Sequence, residues 1–223
     1  MIESLNLIKF QGVAKCYSAF RYSQEGFVPI TYTFKSGNVY GLISDFGCGS
    51  WGLATCLGGR CDEVFTGEIY VNEQKTSFNS LRKFSAFIGE WDFDFINSNE
   101  NLSTAKEYIQ KALSESGIPY SLDEIISAFH LSNVRLNRPL IYTSGEIWLI
   151  SLAINFSLGK EIFCYPWLSS NEIGRFKTAI ELNIFDFLKK NGKIILIPSS
   201  QKKVLKKYCD HTICFGQTKM LYR

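Results

Sequence analysis

Val39-Tyr40-Gly41-Leu42-Ile43 is a short, wholly apolar run that passes directly into Ser44-Asp45-Phe46-Gly47-Cys48-Gly49-Ser50. The run is too short for a helix and has no polar face, so it suits a strand buried inside a sheet. Trp51 to Leu57 then predicts a helix that stops at Gly58-Gly59. A buried strand, a glycine turn and a helix in that order are the setting of a phosphate-binding loop, G-x-x-x-x-G-K-[ST]. Positions 44–51 keep Gly47 and Gly49, which would let backbone N–H groups curl around an anion at a helix start. The lysine position holds Ser50 and the Mg²⁺-binding hydroxyl position holds Trp51. Taken alone, the two glycines serve a tight turn as well as they serve a ligand.

The flanking chain supplies more buried strands. Residues 5–13 and 27–34 read as strands, as do Glu68 to Asn72, Phe84 to Gly89, Glu161 to Tyr165, Lys193 to Pro198 and Thr212 to Phe215. Helices are expected over 102–116 and 121–131, capped by Ser103 and Ser121, and over 146–158, 171–191 and 201–209. Asn133 to Thr143, with Pro139, reads as a loop, and Lys219 to Tyr222 as a last short extension. Alternating strands and helices in the second half argue for a parallel α/β sheet. The strand-rich first third suggests an added antiparallel layer, and the helical middle an inserted subdomain.

Composition closes off several classes. Of 223 residues, 46% are hydrophobic and 20% charged, which is the balance of a packed globule rather than a disordered chain. Lys plus Arg is 24 and Asp plus Glu is 21, and a net charge of +3 gives no basis for nucleic-acid binding. No apolar run reaches the roughly 18–20 residues that a membrane span needs. The alternating start with Glu3 and Lys9 is not a signal peptide. Seven cysteines without a C-x-x-C pair, beside two histidines, argue against zinc and for reduced, mostly buried thiols.

Read in order, several stretches carry a resemblance. Lys15-Cys16-Tyr17, the run 35–43, Thr66-Gly67-Glu68-Ile69-Tyr70-Val71-Asn72, Asn101 to Thr104, Thr143-Ser144-Gly145-Glu146, the run 192–200 and Asp210 to Gly216 follow one another as they do in a known family. The chain resembles the ATP-binding cassette (ABC) transporter ATPase domain over essentially its whole length. The resemblance implies an α/β, P-loop NTPase-like (RecA-like) core with an antiparallel β layer. It also implies one domain over 1–223, with a core of 1–95 and 143–223 and a helical subdomain at about 96–142.

The resemblance also assigns positions, and most of their chemistry is missing. The nucleotide cleft would be Tyr17, on which adenine would stack, with Ser44, Gly47, Gly49, Ser50, Trp51 and Gly52. The metal-binding aspartate and catalytic glutamate fall on Pro166 and Trp167, and the switch histidine on Ser200. The aspartate of the dimer-contacting loop falls near Ile173. No glutamine follows Ile88-Gly89, where Glu90-Trp91-Asp92-Phe93 stands. The signature-like loop keeps Ser144, Gly145 and Glu146, followed by Ile147 and Trp148. Trp91, Phe93 and Phe95 lie where the family faces its permease, either exposed there or buried in the core.

Other groups read more simply. Glu90, Asp92, Asp94 and Glu100 make a solvated acidic segment without calcium-loop spacing. Lys202, Lys203, Lys206 and Lys207 make a solvated helix face. His130 and His211 sit among apolar neighbours and are expected to be packed.

The resulting expectation is a degenerate, ATPase-inactive cassette subunit. It would have no metal and no cofactor, although ATP with Mg²⁺ stays open. It would pair with an intact ABC ATPase subunit, and the isolated chain could form a homodimer. It would lie on the cytoplasmic face of the membrane through a transmembrane permease and bind no nucleic acid. Two alternatives stand beside it: an ATP-hydrolysing cassette with a non-consensus site, and a free-standing interaction or immunity protein that keeps the fold.

Overall fold

The structure, a computed structural model, describes residues 1–18, 21–60, 66–89, 93–99, 101–143 and 146–215. Nine strands and ten helices are assigned within them. In chain order they are β1 (Ser4–Ser18), β2 (Arg21–Lys35), β3 (Asn38–Ile43), α1 (Ser50–Leu57), β4 (Thr66–Val71), β5 (Gln74–Thr76), α2 (Phe78–Leu81), β6 (Ser85–Phe87) and α3 (Phe93–Asn97). There follow α4 (Ala105–Ser116), α5 (Leu122–Ala128), α6 (Asn133–Leu136), a single 3-10 turn (Leu140–Tyr142) and α7 (Ile147–Ser157). The chain continues with β7 (Ile162–Cys164), α8 (Ile173–Glu181), α9 (Ile184–Lys190), β8 (Ile194–Ser199), α10 (Lys202–Tyr208) and β9 (His211–Cys214).

The strands form two sheets. One is antiparallel, in the order β2-β1-β4-β5, and the other is parallel, in the order β6-β7-β8-β3-β9. Strands β3, β6, β7 and β8 of the parallel sheet are buried, the edge strand β9 is partly exposed, and period-two alternation sorts side chains between two apolar bodies. From β3, Val39 and Ile43 face one body while Tyr40 and Leu42 face the other. From β8, Ile195 and Ile197 face the first and Ile194 and Leu196 the second. The first body is closed by the helices α4, α5 and α7. The second is closed by α1 and the antiparallel sheet. Every residue of α1 is buried, because β1 and β2 pack on one side of it and β7 and β8 on the other. A helix apolar all round is stable only when enclosed in this way.

The α/β class, the antiparallel layer and the parallel core match the sequence expectation. Several local readings are corrected. Helix α4 is capped by Thr104 rather than Ser103: Thr104 Oγ1 accepts the Glu107 N–H at 3.3 Å, and the Glu107 carboxylate accepts the Thr104 N–H at 2.9 Å. The expected loop 133–143 contains α6, capped by Ser132, and the 3-10 turn after Pro139. The expected helix 171–191 is two helices, because Asn183 takes a left-handed conformation (φ 55°) that ends the ladder between α8 and α9. Strand β5 and helix α2 went unread because each is at most four residues long. The expected extension Lys219 to Tyr222 lies outside the described residues.

At Gly67 (φ 94°) a Cβ would sit 2.4 Å from the Lys9 carbonyl oxygen, where β1 shifts register between Ile8 and Gln11. Gly117 (φ 65°) ends α4 with nothing within 4 Å of such a Cβ. Gly67→Ala is therefore expected to lower unfolding stability by about 2 kcal/mol or more, and Gly117→Ala by about 1 kcal/mol. Urea unfolding of the two variants checks the order.

A second expectation concerns pH. The Thr104 and Ser103 backbone N–H groups hold the Glu107 carboxyl down to about 2, from an ordinary 4.5. A lowered folded-state pKa means that the cap's contribution is complete above 4.5 and fades as pH falls toward 2. The gap in urea midpoint between the protein and Glu107→Gln should therefore close over that interval. A constant gap would contradict it.

Candidate functional site

Strand β3 ends beside β8, where the Ser44 N–H donates to the Ser199 carbonyl at 3.3 Å. The chain then turns, with the Cys48 N–H on the Asp45 carbonyl at 3.2 Å. Gly47 (φ 84°) and Gly49 (φ 107°) take conformations that side chains disfavour. Helix α1 starts at Ser50, and its first N–H groups have no partner within the helix.

Those groups converge on one carboxylate, that of Glu25. Its Oε2 accepts the Gly47 N–H at 2.9 Å, and its Oε1 accepts the Gly49 N–H at 2.5 Å and the Gly52 N–H at 3.2 Å. Glu25 lies on β2, paired with Ala14 of β1, and is 1% exposed. Burial pushes its carboxyl above the ordinary value, against the pull of the Gly52, Gly49, Gly47 and Trp51 donors.

Apart from Asp45, which is exposed, the remaining loop positions hold uncharged side chains, several of them packed on one another. Ser50 is fully buried, with its hydroxyl 2.5 Å from that of Ser44. The Trp51 indole is buried in the body formed with the antiparallel sheet. Phe46, 60% exposed, lies over both Trp51 (ring centroids 6.2 Å apart) and Trp167 (5.3 Å, edge to face). Trp167 also donates its Nε1–H to the Ser44 carbonyl at 3.4 Å. Pro166 and Trp167 follow β7 after Tyr165, and Ser200 follows β8, which is tied across by Ser199 Oγ donating to the Leu168 carbonyl at 2.6 Å. Gly52 packs so closely that a Cβ there would lie 2.8 Å from the Glu25 carbonyl oxygen.

These residues do not fit a magnesium nucleotide. A carboxylate already sits where backbone donors would meet phosphate, and the lysine and hydroxyl positions are a buried serine and a buried indole. Among the described residues no group of three or more His, Cys, Asp or Glu side chains could hold a metal.

The structure brings Ser44, Gly47, Gly49, Ser50, Trp51, Gly52 and Trp167 together. Tyr17 lies on β1 opposite Tyr22, and its side chain is outside the described residues. Ser144, Gly145, Glu90, Trp91, Asp92 and Glu100 also lie outside them, and only the backbone of Phe93 and Asp94 is described. Glu146 turns inward to accept the Ser132 hydroxyl at 2.7 Å and the Ser132 N–H at 3.2 Å, joining the start of α7 to that of α6. Phe95 is not an exposed docking residue: it is buried, 6.1 Å from the Tyr108 ring centroid.

The histidine expectation is also corrected. His130 is exposed past the end of α5 with φ 50°, and His211 is exposed, stacking on Tyr40 at 5.2 Å. The four lysines of α10 are exposed, as expected. Cys56 and Cys164 are buried thiols, whereas Cys214 is exposed. Burial raises the Cys164 thiol and pushes that of Cys209 up to about 12, so neither is a nucleophile near neutrality.

Glu25 is the residue that sequence reasoning missed. Its signal was parity: it stands two residues before Phe27 and so shares the inward face of β2 with a core aromatic. A charged residue on that face needs a partner, and the glycine turn is the available donor set.

No protein-family model matches the sequence, and no curated protein matches it. Solved structures do. One is described as an ABC transporter (ATP-binding protein) from Pyrococcus furiosus, 18% identical, with 95% of this chain and 97% of that chain covered and a TM-score of 0.63. A second is cbiO1 from Clostridium perfringens, described as part of the ABC transporter complex cbiONQ, 13% identical, covering 97% and 86%, with a TM-score of 0.63. A third, described as an ATP-binding subunit of an ABC transporter, is 17% identical over 97% and 87%, also with a TM-score of 0.63. At these identities the likeness is one of architecture, and the chain has the P-loop fold of ABC transporter ATP-binding proteins.

Proposed function

We propose that the protein is an ABC transporter cassette subunit that does not hydrolyse ATP, pairs with an intact cassette and docks on a membrane permease. The fold supports the cassette assignment. The observation that carries the rest is the joint loss of charge handling: Ser50, Trp51, Pro166, Trp167 and Ser200 stand where a lysine, a metal-binding hydroxyl, an aspartate, a glutamate and a histidine would act. Phosphoryl transfer depends almost wholly on positioning and on neutralising phosphate charge. Magnesium takes oxygen ligands, and proline and tryptophan side chains have none. Each such loss removes several kcal/mol of transition-state stabilisation, and the losses are not additive.

A subunit of this kind works as a mechanical partner. The intact cassette supplies hydrolysis, and its closing motion passes through packed surfaces to the permease. Trp91 and Phe93, in the segment where the resembled family faces its permease, would carry that contact. The description of the Clostridium perfringens neighbour as part of a transporter complex supports a multi-subunit setting. Among the described residues no helix is long and apolar enough to cross a membrane. Contact with the cytoplasmic face of a membrane is therefore assigned to the permease.

Purified protein should turn over ATP no faster than a buffer control in a coupled phosphate-release assay, and turnover near that of ordinary cassettes would overturn the reading. Ser50→Lys alone should not restore hydrolysis, because Pro166 and Trp167 still leave metal and water unheld. Rescue by that one change would show that the later positions are dispensable. Affinity capture from detergent-solubilised membranes should recover a second cassette together with a permease. Recovery of neither favours the free-standing interaction protein.

A further inference from the structure

The buried carboxylate of Glu25 has no task in the function proposed above, yet it reaches from β2 into the loop. Three backbone donors, from Gly47, Gly49 and Gly52, hydrogen-bond to it. Such a ring of N–H groups at a helix start is an anion site by construction. From these contacts we infer that loop 44–52 is an anion nest which the chain fills with its own Glu25 carboxylate, an internal stand-in for phosphate. The assignment rests on the loop alone and stands whether or not the protein serves a transporter.

The contact is built into the packing rather than made by a side chain swinging in from solvent. Glu25 is 1% exposed and comes from within β2. The strand backbone lies against the loop: a Cβ at Gly52 would meet the Glu25 carbonyl oxygen at 2.8 Å, and one at Gly49 would meet Phe27 Cβ at 3.1 Å. An incoming phosphate would have to displace the carboxylate from donors in a site that β2 already covers. Removing only the carboxylate leaves the same donors without their acceptor.

The test compares melting in sodium chloride and in sodium phosphate at matched ionic strength. The wild-type protein should melt at the same temperature in both, because its nest is filled. Glu25→Ala should melt roughly 5–10 °C lower in chloride, since buried donors lose a charged acceptor. Phosphate should restore part of that loss. Three results would overturn the assignment: a variant as stable as wild type, a wild-type response to phosphate as large as the variant's, or a loss that phosphate does not repair.

Glu25→Gln keeps the shape and covers the case in which Glu25→Ala does not fold. An amide has one acceptor oxygen where the carboxylate has two, so the backbone amide resonances of Gly47, Gly49 and Gly52 should shift in an ¹⁵N–¹H spectrum. Resonances that stay in place would remove the carboxylate from the nest.

Discussion

The start of α1 is buried between two sheets, and its N–H groups have no water to turn to. An unpaired buried donor costs about 1–3 kcal/mol, so a helix start in this place requires an acceptor. Glu25 is that acceptor, and meeting the requirement fixes much else. It holds β2 over the loop, sets which face of β2 turns inward, and joins the antiparallel sheet to the parallel one through hydrogen bonds as well as apolar contact. Ala14, Phe27, Trp51 and Leu53 pack in the same apolar body.

The same interaction fits the uncharged residues at positions 50 and 51. With a carboxylate in the nest, a lysine at position 50 would be buried beside the Ser44 hydroxyl rather than aimed at a ligand. A serine there closes a short hydroxyl contact instead. Phe46 lies against both Trp51 and Trp167 at the same loop. Phe46, Ser50, Trp51 and Trp167 form one consistent environment beside the Glu25 carboxylate.

The strand–turn–helix unit was legible because a short apolar run, two glycines and a second apolar run have few foldings open to them. Buried strands such as Ile194 to Ser199 were legible for the same reason. Glu25 was not, because its partner lies 22 to 27 residues away, and nothing local distinguishes a buried glutamate from a solvated one. The break at Asn183 was hidden because the apolar spacing of α8 and α9 runs nearly in phase across it. Phe95 was ambiguous by nature: an aromatic in an acidic segment suits an interface and a core equally, and its contact with Tyr108 settles it as core.

The origin of Glu25 on β2 also bears on how the chain assembles. A glycine loop that waits for a soluble ligand can form as soon as its own strand and helix meet. This one stays an open ring of donors until a hairpin strand from more than twenty residues upstream docks over it. Loop closure of that length is a modest entropic cost, but it makes the loop's completion non-local. The loop is thereby complete only where both sheets are in place.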